Sequence, residues 1–356
     1  MYGVILAGGR GTRFWPASRA SRPKQYLDIT GGGSMLSLTY RRLAAIMPPE
    51  RILLFTLAEQ LPLVREELPQ LAPDQIFVEP VARSTAPSIA VAALLIRARG
   101  GDEPFICCPA DHIIRREEEF ARIARAAGAL AAERDVLVTI GIVPRYPATG
   151  YGYIEAGPEA STRDGVTFSA VMRFHEKPDQ ARANAYVVAG GFFWNSGIFL
   201  FRPSTYLDAW ARHLPQGEAQ LAAISGALGT GEWRAVVERE YPKMPAISID
   251  YGILEKARNV VIAPADIGWS DVGSWDSLFE LLPLDGRGNV GAGRTVLVDS
   301  RNNLFFNPDG VTAAVGVNDV IVVVDGKTVL VCKRGDSQRV RELIDEMEKR
   351  NLKELL

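Results

Sequence analysis

The chain has 356 residues, 47% of them hydrophobic and 23% charged, as in an ordinary globular protein with one large core or two smaller ones. Forty Lys and Arg against 42 Asp and Glu leave a net charge of −2, which excludes a global pull towards nucleic acid or an acidic membrane. No apolar run approaches the roughly 18 residues of a membrane span. The N-terminus lacks the basic segment of a signal peptide, so the expected location is the cytoplasm. Cys107, Cys108 and Cys332 lack metal spacing, and the adjacent pair reads as buried free thiols. His112, His175 and His213 lie too far apart in sequence for HExxH-type pairing, which argues against a histidine zinc site.

In chain order, residues 2–7 read as a short apolar strand that ends in Gly8, Gly9 and Gly11, where the backbone can turn tightly and approach a ligand. Over residues 1–27 the cations Arg10, Arg13, Arg19, Arg22 and Lys24 stand without one acid, a local net of +5. A solvated basic face is one reading of that run. A phosphate cradle, with backbone N–H groups backed by Arg and Lys, is the other. The spacing is not a Walker loop, because no Gly-Lys-Ser/Thr follows. Nor is it a dinucleotide fingerprint, because Phe14 stands where the third glycine belongs.

A helix capped by Ser34 and stopped at Pro48-Pro49 comes next, then strands at 51–56 and 75–78 and an apolar helix at 88–99. A strand at 105–109, a charged helix at 116–134 and a strand at 136–140 follow. This alternation predicts an α/β fold with a mainly parallel sheet covered by helices. Ligands in such folds sit beyond the C-terminal strand ends, where the glycine loop lies. From about residue 285, short strands separated by Asp/Asn/Gly turns predict a small β-rich appendage, with a hairpin at Asp325-Gly326 and a closing amphipathic helix at 340–355. Its hairpin edges could serve a second subunit, giving a homodimer, or close a self-contained sheet. No internal repeat or low-complexity linker is evident.

Two acids stand out. Asp111, in CPADHII (108–114), follows a buried strand, where a carboxylate could hold a divalent cation or cap a helix. Asp271 lies in the tryptophan-flanked turn IGWSDVGSW (267–275). Carboxylates meeting at phosphates suit Mg²⁺, which keeps its waters and takes only one or two from the protein. In the middle of the chain, Gly150 permits close backbone approach to a ring, Glu176 and Asn195 can bond hydroxyls, and Lys177 is a point charge suited to a phosphate. Against this, Glu176–Lys177 also reads as an exposed pair worth ~0–1 kcal/mol and Asn195 as a turn residue.

The opening LAGGRGTRFWP with its later Pro23-Lys24 resembles the signature of sugar nucleotidyltransferases. VEPVARSTAPSIA (78–90), CPADHII, WNSGIF, SIDYGILEK (248–256) and WSDVGSW, in order over residues 1 to about 280, resemble the mannose-1-phosphate guanylyltransferase family. The resemblance implies a Rossmann-like, GT-A-like domain with a mixed, mainly parallel sheet over 1–284 and a left-handed β-helix-like appendage over 285–356. It implies transfer of GMP from GTP to mannose 1-phosphate with release of pyrophosphate, assisted by Mg²⁺ on Asp111 and Asp271.

The same resemblance assigns Leu6, Gly8, Gly9, Arg10, Gly11, Thr12 and Asp111 to nucleotide binding, and Glu79, Arg83 and Ser84 to guanine. Gly150, Tyr151, Glu176, Lys177, Asn195 and Asp250 fall to the sugar phosphate, and Arg13, Lys24, Asp111 and Asp271 are the expected catalytic residues. Position 84 carries Ser where the family often has Asn. Longer members continue into a metal-dependent isomerase domain. Here about 80 residues follow Trp275 without a histidine, so phosphomannose isomerase activity is not expected. Nucleotidyl transfer with another NTP and hexose 1-phosphate, and a non-catalytic GDP-mannose sensor, are the alternatives.

Overall fold

The computed structural model of the chain describes residues 1–9, 11–352 and 355. Contacts divide it into two compact units: Met1–Gly8, Thr39–Ala110 and Ile114–Trp269 form one, and Gly9–Leu38, Asp111–Ile113 and Ser270–Leu356 form the other. The first eight strands are β1 (Tyr2–Leu6), β2 (Ile52–Leu57), β3 (Ile76–Glu79), β4 (Phe105–Pro109), β5 (Ile113–Ile114), β6 (Leu137–Ile142), β7 (Tyr153–Arg163) and β8 (Val166–His175). After them come β9 (Phe192–Phe201), β10 (Val260–Ala265), β11 (Trp269–Ser270), β12 (Val290–Val298), β13 (Leu304–Val315), β14 (Val320–Asp325) and β15 (Thr328–Lys333).

In the first unit, nine strands form one sheet in the order β3-β2-β1-β4-β9-β6-β10-β8-β7. The sheet is mixed. Strands β3, β2, β1 and β4 run parallel, as do β6 and β10, and the other neighbours are antiparallel. The parallel part follows from the helical crossovers legible in the sequence. The antiparallel part comes from residues 153–201, where β7 and β8 pair along their length around a turn at Asp164-Gly165. The helix Thr85–Gly100 is apolar on all sides, with Ala86, Ile89, Ala90, Val91, Ala92, Ala93 and Ile96 fully buried, as a helix inside a core must be. Phe55, Phe77, Phe105, Phe201, Trp210 and Tyr241 complete that core. Cys107 and Cys108 are buried free thiols whose pKa burial pushes up.

In the second unit, β12, β13 and β14 pair in parallel although only short links join them, and β15 closes the sheet antiparallel through the Asp325-Gly326 hairpin. Parallel pairing of consecutive strands without a crossover helix is the geometry of a β-helix coil. The registers Val290↔Leu304 and Leu304↔Ile321 correct the reading that no repeat is present. The spacing changes from one coil to the next, and this conceals the periodicity in sequence. Inside the coils, Asn303 Nδ2 donates to Asn289 Oδ1 (3.0 Å) and to the Val317 carbonyl (2.8 Å), while its Oδ1 accepts from Val320 N–H (3.1 Å). The sheet's inner face, with Leu304, Phe306, Ile321, Val323 and Leu330, packs with Phe14, Trp275 and Met347.

Candidate functional site

The glycine loop and Lys24 meet. Gly11 has φ +50°, and a Cβ there would stand 2.5 Å from Lys24 Cβ and 2.8 Å from Lys24 N, so no other residue fits without moving the lysine backbone. Gln25 Nε2 donates to the Gly9 carbonyl at 2.9 Å, which ties the two segments a second time. Phe14, too large for a dinucleotide fingerprint, is fully buried and packs on Trp275 with ring centroids 4.7 Å apart. Trp275 Nε1 in turn donates to the Trp15 carbonyl at 3.1 Å. The loop is thereby fastened to the turn that carries Asp271.

Lys24 is 6% exposed, and its ammonium lies 3.0 Å from Asp111 Oδ2 and donates to the Asp271 carbonyl at 2.5 Å. Burial raises the Asp111 carboxyl, but the Lys24 ammonium and His112 more than offset it and hold the group below its ordinary value. The Asp271 side chain folds back over Gly273, where a Cβ would stand 3.1 Å from both carboxylate oxygens. Val272 between them has φ +47°, a left-handed conformation that costs a β-branched residue energy, and strain of this kind gathers at functional sites.

Gly11, Arg13, Lys24, Asp111, His112, Asp271, Val272, Gly273 and Arg341 line one cavity of about 310 Å³. The expected catalytic set therefore shares a single concave site, with charges of both signs. The other cations of the opening stretch do different work. Arg19 pairs with Asp325 at 2.7 Å, and Arg22 donates to the Tyr26 carbonyl. Arg10 and the Thr12 side chain lie outside the described residues. Among the described residues no group of three or more His, Cys, Asp or Glu is placed to hold a metal. Asp111 and Asp271 on one wall nevertheless fit a cation that takes one or two carboxylates and fills its shell with water and phosphate oxygen.

The remaining candidates lie in the first unit. Leu6 ends β1, and its carbonyl accepts from Ala110 N–H at 3.1 Å. Glu79, at the end of β3, is 6% exposed and accepts from the Tyr241 hydroxyl at 2.6 Å. Burial pushes its pKa up to about 6 against hydrogen bonds from Tyr241 and Ser88 that lower it. A Cβ on Gly8 would stand 3.6 Å from Glu79 Oε1, so the glycine leaves that oxygen uncovered. Arg83 carries a buried Nε with no hydrogen-bond partner among the described residues, and Ser84 adopts φ +64°.

Asn195 Nδ2 donates to Asp250 Oδ1 at 2.7 Å, and a Cβ on Gly152 would stand 3.0 Å from Glu176 Oε2 and 3.7 Å from Asn195 Cβ, so these polar groups gather around that glycine. Asp250 opens a five-residue π-helix, Asp250–Leu254, a rare form frequently found at functional sites. Burial raises its carboxyl and the nearby Glu176 adds to this, while the Asn195 hydrogen bond pulls it down. Lys177 is exposed, has φ +40°, and pairs with Glu176 at 3.0 Å. Tyr151 sets its ring edge-on against Trp194 and Trp269, at 5.1 and 5.4 Å, anchoring the loop that contains Gly150.

A family model described as nucleotidyl transferase matches residues 2–286. The chain belongs to that family. A second model, described as a MannoseP isomerase/GMP-like beta-helix domain, matches residues 293–347 of this nucleotidyltransferase. The xanthan biosynthesis protein XanB of Xanthomonas campestris pv. campestris is 40% identical over 97% of this chain and 72% of its own. A mannose-1-phosphate guanylyltransferase of Escherichia coli is 40% identical over 96% of this chain and 73% of its own. A solved Thermus thermophilus structure, described as a mannose-1-phosphate geranyltransferase, superposes with TM-score 0.87 at 34% identity, covering 98% of this chain and 99% of that one. No helix among the described residues is long and apolar enough to cross a membrane.

Sequence reasoning missed Arg341 in the cavity wall and Tyr241 on Glu79. Both lie far along the chain from the motifs they join, and neither stands in a motif of its own.

Proposed function

We propose that this nucleotidyltransferase, with a catalytic domain over 1–284 and an appendage over 285–356, transfers GMP from GTP to mannose 1-phosphate. A phosphate oxygen of the sugar phosphate attacks the α-phosphorus of GTP. The α–β bridging P–O bond breaks, and pyrophosphate leaves with the electron pair. The attacking oxygen is already ionised at neutral pH, so no general base is required, and catalysis reduces to positioning and charge neutralisation. The observation that carries the reading is the shared cavity of Gly11, Arg13, Lys24, Asp111 and Asp271.

In this reading Leu6, Gly8, Gly9, Arg10, Gly11, Thr12 and Arg13 serve the nucleotide and its triphosphate, and Lys24 neutralises the α-phosphate. Asp111 and Asp271 would hold Mg²⁺, which supplies electrophilic stabilisation to the phosphates. Glu79 accepts from guanine N1–H and the 2-amino group, and the buried Arg83 Nε supplies a donor for which guanine O6 is a suitable acceptor. Gly150, Tyr151, Glu176, Asn195 and Asp250 read the sugar, and Lys177 its phosphate.

A panel of four NTPs against several hexose 1-phosphates, scored by pyrophosphate release, tests the proposal. GTP with mannose 1-phosphate should dominate. A different preferred pair would replace the substrate assignment. Binding of GDP-mannose with no pyrophosphate release from any pair would make the chain a sensor.

A further inference from the structure

The β-helix segment brings a cation to the cavity. We infer that Arg341 is a phosphate-binding residue of this site, supplied by the C-terminal helix and aimed by a clamp centred on Asp276. The inference rests on the reading of the cavity as a phosphate cradle and extends it to a part of the chain beyond the nucleotidyl transferase match at 2–286.

Asp276 stands directly after Trp275, five residues beyond Asp271 in the same turn. Its carboxylate accepts from Gly335 N–H at 2.7 Å and Ser337 N–H at 3.1 Å, and also from the Ser337 hydroxyl, while its own N–H donates to Ser337 Oγ at 3.0 Å. Ser337 is fully buried. Charge-assisted bonds to two backbone groups on either side of Asp336 fix the segment's direction, because each removes a freedom the chain would otherwise keep. The helix Val340–Lys349 starts three residues after Ser337, and Val340 sinks into the core beside Phe14 and Trp275. Arg341 follows and reaches the cavity wall with Lys24, Asp111 and Asp271.

Its neighbours differ in one respect. Arg339 is bound to Glu342 at 3.0 Å, and Arg334 lies over the Phe279 ring at 4.0 Å. Arg341 is exposed and has no ion-pair partner among the described residues. A guanidinium held at a cavity mouth without a carboxylate can take two phosphate oxygens at once. Lys24 already uses two of its three N–H donors on Asp111 and the Asp271 carbonyl, which leaves one for a phosphate oxygen. The pyrophosphate end of the nucleotide, which carries most of the negative charge and leaves as an anion, is the part that an additional cation at the mouth serves.

The test measures binding of inorganic pyrophosphate with Mg²⁺ by calorimetry, together with steady-state kinetics, for Arg341→Ala, Arg341→Lys, Asp276→Asn and Lys24→Ala. Arg341→Ala should raise the pyrophosphate Kd and the KM for GTP at least tenfold with a smaller change in kcat and an unaltered melting temperature. Arg341→Lys should recover part of the loss, because it keeps the charge without the fork. Asp276→Asn should weaken binding as well, through misdirection of the helix. If Lys24→Ala weakens pyrophosphate while Arg341→Ala stays within twofold of wild type, the role of Arg341 is refuted and the cradle stands. If neither substitution weakens it, the cradle itself is refuted.

Discussion

Lys24 shows how one residue's surroundings set its task. A lysine only 6% exposed, with an aspartate at 3.0 Å and a carbonyl beside it, has little rotamer freedom left, so its charge is already placed when substrate arrives. Lys24→Ala should therefore lower kcat by about 10²–10³-fold, the cost of losing one preorganised donor, with KM moving less. A kcat near wild type would remove Lys24 from the transition state. Glu79 makes the complementary case. Its pKa is about 6 when folded against 4.5 in the reference state, because burial penalises the charged form. The folded state then binds the proton more tightly, so this group's stabilising contribution is complete below about pH 4.5 and is lost as pH rises through about 6. The loss is about 2 kcal/mol for a carboxyl this deeply buried. Urea titrations at pH 4.5 and 7.5 should show wild type losing that much relative to Glu79→Gln, and parallel pH dependences would contradict the burial argument. Lys24, Asp111 and Asp271 were all legible in the sequence, because each stands in a compact motif. The Tyr241 hydroxyl on Glu79 was not, because the two residues are 162 positions apart and only the fold joins them.

At the scale of elements, apolar runs gave the parallel strands to within a residue or two: 51–56 was expected, and Ile52–Leu57 forms. The helix after Ser34 was expected from its cap, and Ser34 Oγ accepts from Ser37 N–H at 3.1 Å. The antiparallel strands at 153–201 escaped, since glycine and polar motifs there read as loop and site rather than as sheet. The β-helix-like appendage was expected, and a matching domain spans residues 293–347, but the expectation came from the family resemblance because the coils are faint in the residues themselves. Their unit is an inward asparagine followed by an apolar residue, Asn289-Val290 and then Asn303-Leu304, and such a short signal is lost among turn residues. Asn303 carries two donations and one acceptance inside the coil, and its removal strips the Val320 N–H of its acceptor and leaves the Val317 carbonyl with the Arg301 N–H alone. Asn303→Ala should destabilise the β12–β15 unit by about 2–3 kcal/mol. Hydrogen exchange at the Val320–Asp325 amides would report it, and unchanged protection there would show the ladder to be dispensable.

At the scale of the molecule, the hydrophobic cluster around the helix Thr85–Gly100 and the one around Trp275 share no residue. The cavity that holds Lys24, Asp111, Asp271 and Arg341 belongs wholly to the unit that contains Trp275. A ligand that binds only the native form of a unit raises that unit's opening free energy by RT ln(1 + [L]/Kd), about 2.7 kcal/mol at a hundredfold excess over Kd. Pyrophosphate with Mg²⁺ at that excess should slow hydrogen exchange at the slowest amides of β12–β15 by roughly a hundredfold. In Asp271→Asn the magnesium-dependent part of this protection should vanish, while the part due to pyrophosphate alone, which Lys24 and Arg341 supply, persists. Were Asp271→Asn to keep the full magnesium increment, the metal would be held without that carboxylate. Were pyrophosphate to leave these amides untouched in the wild type, the anion would be binding elsewhere, and the cationic opening of the chain would be a solvated face after all.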